Sequence, residues 1–220
     1  MKYKTLRKIM IVIMDLISDV EIVGMEKMPK GNVIFASNHL GRFDTGVLLY
    51  ALEREDLIIA VAEKYKNHWL YGAIGRSVDA IWLNRFETDF ASLREILKRM
   101  KKGGVFVIAP EGTRSRTASM QKGKMGVAFL ASKSGYPVVP VALTGTEDEL
   151  MRENFRRFRR TKIKAVVGDP FQIEISKGEA RDEAMQQATD EIMCQIAAML
   201  PEKYWGVYAD HPRLKELLNT

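Results

Sequence analysis

Four short apolar runs constrain this chain more than any other feature: Val33-Ile34-Phe35-Ala36, Leu57-Ile58-Ile59-Ala60-Val61-Ala62, Val105-Phe106-Val107-Ile108 and Val138 to Leu143. Each is rich in strand-forming residues, and the longest has no polar alternation, as expected of a strand covered on both faces. Shorter strands are expected at Glu21–Met25 and Ala80–Leu83. Helical patterns separate the strands: Phe43–Leu52, Lys66–Ile74 closed by Gly75, a helix with the apolar stripe Phe90, Leu93, Ile96, Leu97, Met100, and the small-residue stretch Met125–Lys133. Thr88 or Asp89 caps the third of these, and Lys98, Arg99, Lys101 and Lys102 suit the negative end of its dipole. Strands alternating with helices argue for an α/β fold, a central, mostly parallel, mixed sheet flanked by helices.

The remainder is less regular. Thr146–Arg160 is helical at first and then strongly basic. Lys162–Val167 and Phe171–Ile175 are expected to form a final strand pair about Gly168-Asp169-Pro170. Glu179–Leu200 is a long amphipathic helix, followed by an aromatic tail and a short last helix. No linker or repeat divides the 220 residues, and a single domain of that length buries a sizeable core. The expected division is an amphipathic helix over residues 1–20 and one folded domain over residues 21–220.

The N-terminus superficially resembles a signal peptide, with Lys2, Lys4, Arg7 and Lys8 before Ile9–Met14. Asp15 ends that run, however, and no small-residue cleavage site follows. Ile9, Val12, Ile13, Leu16, Ile17 and Val20 instead fall at helical spacing. Such a helix either packs on its own domain or lies in a membrane interface. No run of about twenty apolar residues is present to form a spanning helix. The formal charge of +6 is informative only where it clusters. Arg152, Arg156, Arg157, Arg159, Arg160, Lys162 and Lys164 form either a solvated face or a contact for an anionic membrane surface. Aromatics spaced as base-stacking platforms are not evident, which argues against nucleic acid. The lone Cys194 excludes an intramolecular disulfide, fits a reducing compartment, and reads as a core thiol; no Cys/His spacing suggests a metal. His68 and His211 read as structural histidines.

The stretch Ser37-Asn38-His39-Leu40-Gly41-Arg42-Phe43-Asp44 joins the first apolar run to the helix after it. On one helix, side chains five residues apart diverge by about 140°. His39 and Asp44 therefore meet only if the histidine lies in the loop and the aspartate in the first helical turn. Asp44 would then fix the imidazole tautomer and leave the other ring nitrogen free to take a proton. Arg85, Glu111 and Arg114 also follow strands, and sites of open α/β sheets gather beyond strand carboxyl ends. Arginine forks match phosphate oxygens, and Gly112 gives an anion access to backbone N–H groups. Chemistry on a hydroxyl next to a phosphate follows from these residues.

Four motifs in order resemble the glycerolipid acyltransferases over roughly residues 20 to 145. They are Asn38-His39-x4-Asp44, the apolar stretch Ala80–Asn84 ending in Arg85, Pro110-Glu111-Gly112-Thr113-Arg114-Ser115, and Val138-Val139-Pro140-Val141. The family often has Ser where this chain has Gly41, an edge expected to touch the acceptor; Asp79 and Asn84 also depart from the pattern. The resemblance implies a glycerol-3-phosphate acyltransferase-like fold. It also implies transfer of a fatty acyl group from acyl-CoA or acyl-carrier protein to the free hydroxyl of a lysophospholipid, 1-acylglycerol-3-phosphate, giving phosphatidic acid. Other lysophospholipids, or amino-acid or sugar lipids, are alternative acceptors. A non-catalytic basic membrane-surface module is the rival class. In the family's scheme His39 and Asp44 are catalytic, Arg85, Gly112, Thr113 and Arg114 hold the acceptor phosphate, and Glu111 orients Arg114 or the acceptor. Lys122, Lys124 and Lys64 are further candidates, and Pro140 shapes the acyl groove. No cofactor is implied. The expected location is cytoplasmic, at the cytoplasmic face of the membrane.

Overall fold

The computed structural model describes residues 3–84, 89–175 and 181–219. Arg85 and Thr88 lie outside that set, as does the start expected for the long helix at Glu179. Seven strands make one sheet: β1 (Ser18–Val23), β2 (Val33–Ser37), β3 (Leu57–Ala62), β4 (Ile81–Leu83), β5 (Val105–Ile108), β6 (Val138–Thr144) and β7 (Thr161–Val167). Their spatial order is β1-β7-β6-β2-β5-β3-β4. The helices are α1 (Tyr3–Ile17), α2 (Asp44–Ala51), α3 (Trp69–Ser77), α4 (Phe90–Met100), α5 (Gly126–Ser134), α6 (Asp148–Arg156), α7 (Arg181–Ala198) and α8 (Pro212–Leu218).

The four apolar runs become the central strands β2, β3, β5 and β6. Every residue of β2 is buried, which its lack of polar alternation requires. Two cores result, one on each face of the sheet. Ile34, Ile58 and Phe106 pack beneath α4, α5, α7 and α8, while Val33, Phe35 and Val139 pack beneath α1 and α2.

The end of the sheet departs from expectation. β7 forms no hairpin with Phe171–Ile175; it pairs antiparallel with β6 and parallel with β1. Gly168 N–H donates to the Pro140 carbonyl at 2.9 Å and Phe171 bridges Val138, so the chain after β7 continues along β6. β1 and β7 therefore run opposite to the other five strands. Thr144 at the end of β6 pairs with Lys164 near the start of β7. The entries to β1 and β7 thus lie at the same end of the sheet as the carboxyl ends of β2 and β6.

Three helices also differ. α3 runs through Gly75 to Ser77, because the absent side chain leaves room for the Trp82 ring, into which a Cβ would drive. In α1 the packed face is Leu6, Met10, Met14 and Ile17, and Gly46 of α2 receives Met10 and Met14. The stripe Ile9, Val12, Ile13, Leu16 faces solvent. In α4, Ile96 and Met100 are buried but Phe90 is exposed. Asp89 caps that helix through the Ser92 N–H at 2.9 Å.

Candidate active site

β2 delivers Asn38 and His39 to its carboxyl end, and α2 opens on Asp44. Asn38 is fully buried and clamps β6 in both directions: its Nδ2 donates to the Leu143 carbonyl at 2.9 Å and its Oδ1 accepts from the Leu143 N–H at 2.7 Å. The backbone of the loop then turns so that one carboxylate oxygen, Asp44 Oδ2, collects three donors. These are His39 Nδ1 at 2.6 Å, the Leu40 N–H at 2.8 Å and the Gly41 N–H at 3.0 Å. Asp44 is buried, and its Oδ1 has no hydrogen bond among the described residues. Because two backbone N–H groups already point at Oδ2, that atom is an acceptor, and His39 Nδ1 carries the proton between them. Nε2 is the ring nitrogen that Asp44 does not engage, and the histidine side chain keeps about a fifth of its surface open.

The backbone of His39 is held from both sides by the loop after β5. Glu111 Oε1 accepts the His39 N–H at 2.8 Å, and the Ser115 N–H donates to the His39 carbonyl at 2.8 Å. Glu111 Oε2 accepts the Gln121 N–H at 2.9 Å. Burial pushes the Glu111 carboxyl above its ordinary value, against the lowering effect of those two backbone donors. Both oxygens are thus taken by backbone, and the expected orientation of Arg114 by Glu111 does not occur. Asp148, at the start of α6, does that instead. Its Oδ2 lies 2.6 Å from Arg114 Nη1, and its Oδ1 accepts the Arg42 N–H at 2.8 Å. Sequence reasoning missed Asp148, since nothing in its local pattern signals a partner 34 residues earlier.

Gly112 has a left-handed backbone, φ +71, and the Lys124 side chain lies across the space its Cβ would fill. The Lys124 N–H also bonds the Pro110 carbonyl at 2.9 Å. Gly112, Thr113, Arg114 and Lys124 are therefore gathered on one loop beside His39, with Lys122 exposed next to it. Lys64 is at the end of β3, with its Nζ over the Tyr65 ring at 5.1 Å. Pro140 is buried inside β6 opposite Ala36 and against Gly168. Arg85 lies outside the described residues.

Gly41 is not an open edge. It is buried, and a Cβ there would collide with the Thr146 carbonyl. Cys194 is a buried core thiol 3.4 Å from His211 Nδ1, and burial pushes its pKa up to about 12. His211 caps α8 and His68 caps α3, as structural histidines do.

A base candidate oriented by a buried acid, beside a loop of cationic side chains and accessible backbone, can deprotonate a hydroxyl near an anchored anion. The acyltransferase family model matches residues 19–144. A Mycoplasma pneumoniae protein named as a probable 1-acyl-sn-glycerol-3-phosphate acyltransferase is 24% identical over 69% of this chain and 61% of its own length. A Bacillus subtilis protein named 1-acyl-sn-glycerol-3-phosphate acyltransferase is 26% identical over 77% of this chain and 82% of its own. The crystal structure of the 1-acyl-sn-glycerophosphate acyltransferase of Thermotoga maritima superposes with a TM-score of 0.64 at 23% identity, over 86% of this chain and 79% of that one. That superposition identifies the shared fold.

Proposed function

From the premise that this chain belongs to the acyltransferase family, we propose that it transfers a fatty acyl group from acyl-CoA or acyl-carrier protein to the free hydroxyl of 1-acylglycerol-3-phosphate, giving phosphatidic acid. The observation that carries the reading is the 2.6 Å contact of His39 Nδ1 with a buried Asp44 that two backbone N–H groups hold in place.

His39 Nε2 takes the proton of the acceptor hydroxyl as its oxygen attacks the thioester carbonyl. Asp44 fixes the ring and stabilises the imidazolium that forms. The tetrahedral intermediate collapses with cleavage of the carbon–sulfur bond, and the imidazolium returns its proton to the departing thiolate. The products are the new ester and a free thiol, and His39 is neutral again. No cofactor is required by these steps. Arg114 and Lys124, with the backbone at Gly112 and Thr113, bind the acceptor phosphate; Arg85 is assigned to the same task from its motif alone. Glu111 acts through His39, whose backbone it holds. The lipids involved make an anionic membrane surface the partner, although no helix among the described residues is long and apolar enough to cross a membrane.

The test is thiol release from one acyl-CoA across a panel of lysolipid acceptors, with products read by mass spectrometry. Phosphatidic acid formed only with 1-acylglycerol-3-phosphate is the expected result. Release without dependence on any acceptor would defeat the proposal. His39→Ala should lower turnover by about 10²- to 10⁴-fold with the fold retained.

A further inference from the structure

We propose that Arg42 is a specificity-determining residue of the acceptor site, the second guanidinium of a clamp with Arg114 that selects a phosphate monoester over a phosphate diester. This deepens the reading above and rests on it, since the clamp has a purpose only if the acceptor lipid carries a phosphate. Of the four residues between His39 and Asp44, Leu40 and Gly41 are buried, Phe43 is half-buried and Arg42 alone is exposed. The loop that carries the base therefore presents one side chain to solvent, and that side chain is a cation.

Backbone contacts fix where that side chain starts. The Gly41 N–H donates to Asp44 at 3.0 Å and the Arg42 N–H to Asp148 Oδ1 at 2.8 Å. Gly41 is pressed against the loop before α6 so closely that a Cβ would meet the Thr146 carbonyl and the Asp148 N–H. The other oxygen of Asp148 then serves both arginines. Its Oδ2 lies 2.6 Å from Arg114 Nη1 and 3.7 Å from Arg42 Nε. Arg114 arrives from the loop after β5, where the neighbouring Ser115 N–H holds the His39 carbonyl. Two guanidinium groups from different loops thus converge on one carboxylate oxygen beside the base.

Charge and hydrogen-bonding capacity select the ligand. Two guanidinium groups this close repel, and the carboxylate between them allows both to stay. One negative charge against two positive ones leaves a positive excess, and most of the donors are unspent. The two terminal nitrogens of Arg42 make no hydrogen bond among the described residues, and Asp148 engages only Nη1 of Arg114. A guanidinium fork matches a pair of phosphate oxygens. A phosphate monoester offers three terminal oxygens and, above its second pKa of about 6, two negative charges, so it can engage two forks at once. A diester offers two terminal oxygens and one charge, which a single fork satisfies. The second arginine therefore separates 1-acylglycerol-3-phosphate from lysolipids whose headgroup continues beyond the phosphate.

The experiment is calorimetric binding of octyl phosphate and of its methyl diester to the purified full chain at about pH 8, where the monoester is a dianion. The wild type should prefer the monoester about tenfold. Arg42→Gln should weaken monoester binding about tenfold and change diester binding less than twofold, so that the preference collapses. Arg42→Lys, which keeps the charge and loses the fork, should restore part of it. With 1-acylglycerol-3-phosphate as acceptor, Arg42→Gln should raise KM about tenfold and leave kcat within about twofold. Both variants should keep the wild-type thermal midpoint, because the backbone N–H of residue 42 still holds Asp148. A wild type without preference, or an Arg42→Gln variant that binds both ligands as the wild type does, overturns the proposal. So does an equal loss for both ligands, which would mark Arg42 as a structural residue of the loop. A wild type that shows the preference, loses it in Arg42→Gln and acylates no lysolipid would support the clamp while defeating the enzymatic reading.

Discussion

At residue scale, the site depends on carboxylates whose positions in sequence do not reveal their partners. Asp44 and His39 could be paired on paper because the loop-and-helix geometry allows only one way for them to meet. Asp148 could not, because its partner Arg114 is reached only after β6 has crossed the sheet. Asp148→Asn should raise the acceptor KM about tenfold while kcat changes less, because an aimed, charge-assisted contact is lost to a half-exposed group. An equal fall in kcat with KM unchanged would instead place Asp148 in the chemical step. Glu111 gives a pH-dependent prediction. Its folded pKa is raised, so the native state holds this proton more tightly than the unfolded chain does. The group's stabilising contribution is therefore full below the ordinary value of 4.5 and is lost as pH rises through the raised folded value. Thermal midpoints measured across that range should fall less steeply with rising pH in Glu111→Gln than in wild type. Glu111→Ala should be worse at every pH, since it strands two part-buried backbone donors, together at about 1–3 kcal/mol.

At the scale of elements, the central strands were legible because a strand covered on both faces must be apolar nearly throughout, and in β2, β3, β5 and β6 only the terminal Ser37 and Thr144 are polar. β7 misled because its buried and exposed residues alternate, which identifies a strand but not its neighbour. Pro170 and Gly168 suggested a hairpin, yet β1 and β6 supplied the hydrogen bonds. The α1 stripe left two readings open, packed or interfacial, and the structure divides it: Ile9, Val12, Ile13 and Leu16 are uncovered, while Ile17 packs with Leu6, Met10 and Met14. Gly41 belongs at this scale too, because it is where the β2–α2 loop meets the β6–α6 loop. Gly41→Ser places a Cβ against the Thr146 backbone and should destabilise by about 1–3 kcal/mol. The same shift moves the Gly41 N–H off Asp44, so turnover should fall with stability. A serine variant with wild-type melting and turnover would show that the two loops part at no cost.

At the scale of the whole molecule, the chain beyond the four motifs completes the site from outside. The Tyr204 carbonyl accepts the Met120 N–H at 2.8 Å, and the Tyr208 hydroxyl accepts the Gly123 N–H at 3.0 Å, so the tail braces the loop that follows Arg114. Tyr208→Phe leaves the Gly123 donor without its acceptor and should cost about 1–3 kcal/mol in urea unfolding, with a higher acceptor KM. None of this bracing was visible in the sequence, because an aromatic tail announces burial without saying what it covers. The double hold on His39 by Glu111 and Ser115 has a temporal meaning as well. It ties His39 to Glu111, 72 residues away, and to Ser115 beyond it, across parallel strands that pair only after a long excursion has closed. The base therefore reaches its working position late in folding, after the sheet's centre has zipped. In refolding from urea, regained turnover should lag the return of helical circular dichroism, so that activity acts as a clock for the last long-range step.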